Sequence, residues 1–355
     1  MRPQRNGAIA LEKTMVSRTF ASLSLLLAGL GASAADAASP PPAYAVTGRI
    51  AGADGGWDYA SVDPASGRLY VARSNAVMMV DLATAKVTDT FVKAQRAHAV
   101  LPIDKGRTLV ETDGQTGLVR FIDAATGKVR VEVPTGIKPD AAFLDSATGR
   151  LVVMNPGSNT VVLLDPVQYG MVGRIDVPGG LEAGAGDGKG KAFVNLEEAN
   201  ALAEIDLVAG KLIRTIPLKG CEGPTGIAVL GGGSRILSAC ANGVATVVDA
   251  ASGALVQTLP VGHDPDAVIV DEARGMAFVP SGQDGTLTMI RIADPAHFTV
   301  TGTIRTQAGA RTGAVDPRDG RIYLPTALMA RGEGGSHHAA AEPGTFVVLV
   351  VSPTR

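Results

Sequence analysis

The stretch Asp63-Pro64-Ala65-Ser66-Gly67-Arg68-Leu69-Tyr70-Val71 joins an acidic turn to a glycine, an arginine and a run of β-forming residues. The pattern returns as Asp145-Ser146-Ala147-Thr148-Gly149-Arg150-Leu151-Val152-Val153 and as Asp316-Pro317-Arg318-Asp319-Gly320-Arg321-Ile322-Tyr323-Leu324. With four weaker copies, the turn glycines fall at positions 67, 106, 149, 190, 233, 275 and 320. A repeat of about 42 residues built from short strands predicts propeller blades rather than helical repeats.

A second repeat lies inside the first one. β-rich runs end at Val80-Asp81, Ile122-Asp123, Leu164-Asp165, Ile205-Asp206 and Val248-Asp249, and several lead into glycine turns. Each repeat is therefore predicted to form four antiparallel strands, A to D. The last repeat has no D strand of its own, but Tyr44–Ile50 is similar to the other D strands. We expect an all-β, seven-bladed β-propeller over residues 43–355, with the N-terminal strand closing the last blade.

Composition limits the function classes. The 355 residues contain 32 Lys plus Arg and 34 Asp plus Glu, a net charge of −2, so no electrostatic footprint for duplex nucleic acid is present. Aromatic residues make up 4%, which disfavours a base-stacking groove for single strands. Two cysteines exclude a disulfide-rich miniprotein and a cysteine-rich metal module.

The N-terminus has the pattern of an export signal. Arg18 precedes the apolar run Phe20–Leu30, and small-residue cleavage sites such as Ala32-Ser33-Ala34 follow. We expect residues 1–37 to be a signal peptide, with Met15 as an alternative start, and residues 38–42 to be a Pro-rich spacer. An uncleaved membrane anchor is the alternative, although the apolar run is too short to span a bilayer. The predicted product is a periplasmic or secreted monomer with no membrane span after signal cleavage.

Polar side chains recur in the loops that lead from each D strand to the next A strand. Because A strands line a propeller's central channel, these positions are expected to converge at its mouth. The candidate residues, with Arg311 beside the last of them, are Asp58, His98, Asp140, Glu182, Thr225, Asp266 and Thr312.

The chemistry of this ring has two interpretations. Carboxylates with one imidazole suit Ca²⁺, Mg²⁺, Mn²⁺ or Zn²⁺, so Asp58, His98, Asp140, Glu182 and Asp266 are candidate metal ligands. Such a metal could acidify water for hydrolysis. Alternatively, each carboxylate accepts neighbouring backbone N–H groups at a turn. No cofactor is certain, and Ca, Mn or Zn is the candidate metal.

Other polar residues carry weaker signals. Four asparagines follow B strands and are expected at turns: Asn75, Asn155, Asn195 and Asn242. His263 is interpreted as a solvated loop residue and His297 as lying on the opposite face. The long loop Thr326–Gly344 is interpreted as a lid or partner contact over the mouth, a weak metal site or a disordered tether. It contains Arg331, Glu333, His337, His338 and Glu342.

The two cysteines, Cys221 and Cys240, are expected near one face of the fifth blade. In an exported protein the prediction is a disulfide between them, with two buried thiols as the alternative.

The stretches Leu69-Tyr70-Val71-Ala72-Arg73-Ser74-Asn75 and Leu151-Val152-Val153-Met154-Asn155 look like YVTN repeats. Residues 43–355 as a whole resemble the exported YncE-like seven-bladed propellers of bacteria. The resemblance implies a periplasmic or surface protein, and related propellers include lactone hydrolases and quinoprotein amine dehydrogenase heavy chains. Some YncE-like members are described as binding single-stranded DNA. No catalytic residue can be transferred by position, so the enzymatic reading would rest on fold analogy.

Two functions therefore remain open. The first is a binding or interaction module that takes a small-molecule or protein ligand at the channel mouth. The alternative is a metal-dependent hydrolase of lactonase type at the same place, with His98 as a general base or ligand.

Overall fold

The computed structural model describes residues 42–329 and 341–354. The expected signal peptide and residues Arg331, Glu333, His337 and His338 lie outside this range. The described residues form seven four-stranded antiparallel sheets. These are the blades of a β-propeller, as the repeat predicted, and the all-β class is confirmed. No helix among the described residues is long and apolar enough to cross a membrane.

The first four blades each use four strands that are consecutive in the chain. Blade one contains β2 (Trp57–Asp63), β3 (Arg68–Arg73), β4 (Ala76–Asp81) and β5 (Lys86–Lys93). Blade two contains β6 (Ala97–Ile103), β7 (Thr108–Asp113), β8 (Leu118–Asp123) and β9 (Val129–Pro134). Blade three contains β10 (Ala142–Leu144), β11 (Leu151–Asn155), β12 (Thr160–Asp165) and β13 (Gly170–Asp176). Blade four contains β14 (Leu181–Gly186), β15 (Lys191–Leu196), β16 (Ala201–Asp206) and β17 (Lys211–Pro217).

The last three blades complete the ring. Blade five contains β18 (Pro224–Leu230), β19 (Arg235–Cys240), β20 (Val244–Asp249) and β21 (Leu255–Pro260). Blade six contains β22 (Ile269–Asp271), β23 (Met276–Ser281), β24 (Thr286–Arg291) and β25 (Thr299–Arg305). Blade seven contains β26 (Ala314–Val315), β27 (Ile322–Thr326), β28 (Val347–Thr354) and the N-terminal strand β1 (Ala43–Ala51). Single-turn 3₁₀ helices occupy Asp104–Gly106, Pro156–Ser158 and Glu272–Arg274.

The two ends of the described chain close the ring. β1 runs antiparallel to β28, from Ala43 opposite Thr354 to Ala51 opposite Val347. This pairing confirms the predicted closure by the N-terminal strand. Without it, β28 would present an edge of unpaired backbone N–H and C=O groups.

The core lies between the faces of adjacent sheets. The second strand of every blade is almost continuously buried, as in β7, where all six residues are inaccessible. These strands are covered on both faces, so polar residues such as Glu111 of β7 are buried along with the apolar ones. The largest fully buried side chains are the aromatic rings of Tyr70, Phe121, Phe193, Phe278 and Phe298.

The recurrent aspartates at the ends of the third strands cap the turns that follow. Asp123 accepts hydrogen bonds from the backbone N–H groups of Ala125 and Thr126, at 3.0 and 2.9 Å. Gly127 then takes a positive φ of 73°, which an L side chain adopts poorly. Hydrogen bonds from Arg130 and Thr126 hold the pKa of Asp123 at about 2. The aspartate of the internal repeat is therefore explained by the hydrogen bonds that it accepts in the turn after each third strand.

The structure joins Cys221 and Cys240 in a disulfide, with Cα atoms 5.4 Å apart. Both residues are buried. The bridge fastens the loop between β17 and β18 to the end of β19. Hydrogen bonds from the Glu222 N–H to Asn242 and from Asn242 to the Gly220 carbonyl reinforce the same link.

Candidate binding pocket at the channel mouth

A pocket of about 730 Å³ lies where the loops between blades meet. All six candidate side chains line it: Asp58, His98, Asp140, Glu182, Asp266 and Arg311. They come from the first strands, or the loops just before them, of six blades, and Thr225 supplies the remaining blade. A pocket to which every blade contributes lies on the axis of the ring. We call it the mouth pocket.

Threonine hydroxyls fix the loops that carry the acidic residues. Thr312 donates to the carbonyl oxygen of Asp58 at 2.7 Å, and Thr225 donates to the carbonyl of Pro265, next to Asp266. Thr112, which lies on β7, donates in the same way to the Asp140 carbonyl at 2.6 Å. Each hydroxyl reaches the loop of the neighbouring blade. Thr225 and Thr312, expected as mouth residues, therefore act on the backbone.

His98 contacts charged side chains through both of its ring nitrogens. Its Nδ1 lies 2.7 Å from Oδ2 of Asp58 and 3.6 Å from Oδ1 of Asp140. Arg96 donates from Nε to His98 Nε2 at 3.2 Å. Because a guanidinium can only donate, Nε2 accepts, and the ring proton sits on Nδ1, facing Asp58.

A glycine leaves room for the imidazole. A Cβ atom on Gly114 would lie 2.6 Å from both Cδ2 and Nε2 of His98, so any larger residue would displace the ring. Burial lowers the pKa of His98, but the hydrogen bond with Asp58 and the charge of Asp140 outweigh it and raise the pKa overall. Protonation would break the contact with Arg96, since both groups would then be donors.

Asp266 and Arg311 form a second pair, with Nε of Arg311 2.9 Å from Oδ2 of Asp266. Burial, opposed by Arg311 and reinforced by Asp58, raises the pKa of Asp266 to about 7. The pKa of Asp140 is also raised, first by burial and then by the charge of Asp58. The inner wall of the pocket therefore holds carboxyl groups that oppose one another's ionisation.

Glu182 has no such partner. Among the described residues, no side chain forms a hydrogen bond or an ion pair with its carboxyl group. Burial, followed by the charges of Asp266, Asp140 and Glu197, raises its pKa to about 9, while Lys138 lowers it. Glu182 is therefore protonated at neutral pH in this arrangement.

The expected metal ligands are only partly brought together. One donor atom each of Asp58, His98 and Asp140 lies within 4.8 Å of the others. Glu182 and Asp266 are outside that group. Both ring nitrogens of His98 already have partners, and a metal at Nδ1 would require the proton to move to Nε2, against Arg96. Metal binding by His98 would thus need Arg96 to move away.

Several pocket residues were not foreseen from the sequence as site residues. Tyr59 lies among Asp266, Glu182, Asp140 and Asp58, and burial followed by these charges raises its pKa well above 10. Arg96, Lys138, Glu197 and Asp264 also line the pocket. Tyr59 directly follows Asp58, and Lys138 and Arg96 each stand two residues before a mouth residue. This closeness in sequence to a mouth residue is the signal that could have identified Tyr59, Lys138 and Arg96 as pocket residues.

One wall of the pocket is aromatic. Trp57 donates from Nε1 to the Gly309 carbonyl at 3.2 Å, and its ring lies 5.9 Å from that of Phe346. The guanidinium of Arg73 sits over Phe346, 3.5 Å from the ring centre. Arg73 also donates to three carbonyls of the preceding loop, those of Ala53, Gly55 and Gly56. The wall is thus held rigidly in place.

Two of the four asparagines are not turn residues, contrary to the sequence expectation. Asn155 and Asn195 are fully buried at the ends of second strands. Asn195 donates to the carbonyls of Thr225 and Gly226 in the next blade, and Asn155 accepts from Thr135. In the sequence, each of these asparagines stands where a strand ends and a loop begins, so its buried role between blades could not be recognised. Asn75 and Asn242 do lie in turns.

The remaining candidates lie elsewhere. His263 is half exposed and pairs with Asp284 at 3.0 Å, outside the mouth pocket. His297 is exposed in the turn before β25, on the opposite face. Five described residues of the long loop Thr326–Gly344 line the pocket: Ala327, Met329, Ala341, Glu342 and Pro343.

No family model matches this chain, and no curated protein matches it. Solved structures do match. A chain of the Kuenenia stuttgartiensis hydrazine synthase has a TM-score of 0.64 at 15% identity, over 76% of this chain and 92% of that one. A chain of a mitotic checkpoint complex has a TM-score of 0.67 at 14% identity, over 91% and 95%. At these identities the similarity shows the fold alone. The protein is a seven-bladed β-propeller.

Proposed function

We propose that this protein is an exported, YncE-like binding protein whose mouth pocket takes a small organic cation. The observation that carries the proposal is the charge of the pocket. Eight carboxyl groups line it, against Arg96, Lys138, Arg311 and one histidine. Among the described residues, several of these carboxyl groups, including those of Glu182 and Glu197, form no ion pair with a cationic side chain.

The size of the pocket favours an organic ligand over a bare ion. A volume of about 730 Å³ is within the range of small-molecule sites and far exceeds one metal ion. The carboxyl groups line the pocket together with the rings of Trp57, Tyr59 and Phe346. Ammonium groups bind favourably to both carboxylates and aromatic faces.

Location and family are part of the same proposal. The repeats resemble those of exported YVTN propellers, and residues 1–37 have the pattern of a signal peptide. The Cys221–Cys240 disulfide suits an oxidising compartment such as the periplasm.

The chain's single tryptophan provides a direct test, because Trp57 lines the pocket. Choline and 1,4-diaminobutane are titrated while tryptophan emission is recorded, with sodium chloride at matched ionic strength as the blank. We expect a saturable change, weakened about tenfold in Asp140→Asn. Asp284→Asn, a matched change outside the pocket, is expected to bind as the wild type does. Absence of saturable binding by any cation would overturn the proposal.

A metal-dependent hydrolase of lactonase type is the second candidate. It is favoured by one observation, the three donor atoms of Asp58, His98 and Asp140 within 4.8 Å. These residues would hold the metal, which would acidify a bound water. Metal analysis of protein purified from the periplasm without chelator tests it. Stoichiometric Ca, Mn or Zn together with lactone turnover that is lost in Asp140→Ala would favour this function over cation binding.

A further inference from the structure

The loops at the channel mouth share an equivalent position, two residues before the mouth residue. In blades two, four, five and six, the carbonyl oxygen at this position accepts a backbone N–H from the loop between the second and third strands. The four carbonyls are those of Arg96, Gly180, Gly223 and Asp264. Lys138 stands at the same place in blade three, two residues before Asp140. The backbone of the loop therefore defines the position, and the side chain on it differs from blade to blade.

The backbone at this position is left-handed in four successive blades, three to six. Gly180 and Gly223 have φ angles of 75° and 59°. Lys138 and Asp264 have the same conformation, with φ of 56° and 58°, although it costs free energy in a residue with a Cβ atom. Both of these side chains are charged, and both line the mouth pocket. A strained residue at a pocket, where neighbouring blades use glycine, indicates a side chain with a functional role.

Lys138 belongs to a basic side of the pocket. Gly114 donates from its backbone N–H to the Arg96 carbonyl at 2.9 Å. A Cβ atom on Gly114 would lie 2.6 Å from the His98 ring and 3.5 Å from Cγ of Lys138. Arg96 and Lys138 therefore flank the same glycine. Nζ of Lys138 lies 3.7 Å from Oδ2 of Asp140, which is longer than a hydrogen bond. Arg96 uses Nε toward His98, and its guanidinium has further N–H groups on two other nitrogens.

We propose that Lys138, together with Arg96, binds an anionic group of the ligand, so that the mouth pocket takes a zwitterion rather than a simple cation. The inference rests on the proposed function, since it names the ligand class of the same pocket. The carboxyl groups and aromatic rings hold the cationic group of the ligand, and the two basic side chains hold its carboxylate. A carboxylate accepts hydrogen bonds from an ammonium and from a guanidinium, and such charge-assisted hydrogen bonds are strong.

Asp264 supports the same interpretation from across the pocket. Blade six, which it enters, lies three blades away from the blade of Lys138 in a ring of seven. The two strained residues therefore approach the pocket from well-separated sides, and their charges are opposite. A ligand that carries one charge of each sign matches this arrangement, whereas a simple cation would be repelled by Lys138.

Choline and glycine betaine form a matched pair of probes. Both carry a trimethylammonium group, and choline ends in a hydroxyl group where glycine betaine ends in a carboxylate. Calorimetric titration at neutral pH measures the affinity of the protein for each. We expect glycine betaine to bind at least about tenfold more tightly than choline, which is the effect of one hydrogen bond to a charged group.

Lys138→Gly tests the residue itself. It removes the ammonium group and gives the left-handed backbone the residue that the next two blades have. We expect glycine betaine to lose about tenfold in affinity, choline to lose none, and the melting temperature to be no lower than in the wild type. Lys105→Gly is the matched control, because Lys105 also has a left-handed backbone, with φ of 55°, and does not line the pocket. It removes the same charge, and both affinities are expected to stay at their wild-type values.

The outcomes separate the two proposals. Equal affinity of the wild type for choline and glycine betaine would refute the inference and leave the binding function standing. A preference for glycine betaine that persists in Lys138→Gly would do the same. A lowered melting temperature in Lys138→Gly, with both ligands lost, would show that Lys138 serves the fold and would also refute the inference. Failure of every tested cation and of glycine betaine to bind would remove the binding function and the inference together.

Discussion

Arg68 in the first blade donates from Nη1 to the carbonyl oxygen of Ala124 in the second blade, at 2.8 Å. Equivalent arginines act in the same way farther round the ring. Arg150 donates to the carbonyl of Leu207 in blade four, and Arg235 donates to that of Pro295 in blade six, the latter at 2.9 Å. The arginine of the turn motif therefore links one blade to the next. Arg107, at the same place in blade two, instead bonds to Asp104 within its own turn.

Replacing Arg68 is expected to weaken the contact between blades one and two. In Arg68→Gln the Ala124 carbonyl loses a charged donor, and we expect the free energy of unfolding to fall by about 1–2 kcal/mol. Urea unfolding measures the change. Arg107→Gln is the matched control and is expected to change the free energy of unfolding far less, because its ion pair with Asp104 is exposed to solvent. Equal losses in the two variants would contradict an interblade role.

Ring closure is expected to depend on β1. Deleting residues 43–52 removes the fourth strand of blade seven and exposes the backbone edge of β28. We expect no soluble folded protein. The measurement is the soluble yield and thermal transition, compared with a chain that begins at residue 42. A soluble truncation with an unchanged thermal transition would refute closure by this strand.

The disulfide is expected to stabilise the loop between β17 and β18. Its two cysteines are 19 positions apart, for which chain entropy gives about 3 kcal/mol. The double variant Cys221→Ser, Cys240→Ser should therefore unfold at lower urea concentration. Dithiothreitol should bring the wild type to the same value and leave the variant unchanged. Two free thiols in denatured, unreduced protein would contradict the bridge.

The mouth carboxyl groups are expected to cost stability at high pH. The folded-state pKa of Glu182, about 9, lies above its unfolded value, so its contribution is fully present below the unfolded pKa. That contribution is lost as the pH rises through the folded pKa. Glu182→Gln should therefore gain melting temperature over the wild type from about pH 5 to about pH 9, by at least about 3 °C at the upper end. A difference independent of pH would show that Glu182 ionises normally.

The sequence predicted most of the architecture. Turn aspartates, turn glycines and β-rich runs are local signals, so the number of blades and the closure by Tyr44–Ile50 followed from spacing. The six candidate mouth residues also share one pocket, because the start of each first strand, or the loop just before it, faces the axis. Prediction was wrong for Asn155 and Asn195, because their partners belong to other strands and other blades.

What the sequence by itself determined is the repeat, and with it the fold, since each blade depends on hydrogen bonds and turns between residues close together in the chain. Which acidic side chain obtains a partner was decided only by the tertiary structure. Asp266 meets Arg311 and Asp58 meets His98 across loops 40 or more residues apart, while Glu182 meets other carboxyl groups. Electrostatic energy depends on distances between blades, and no local pattern of residues encodes those distances.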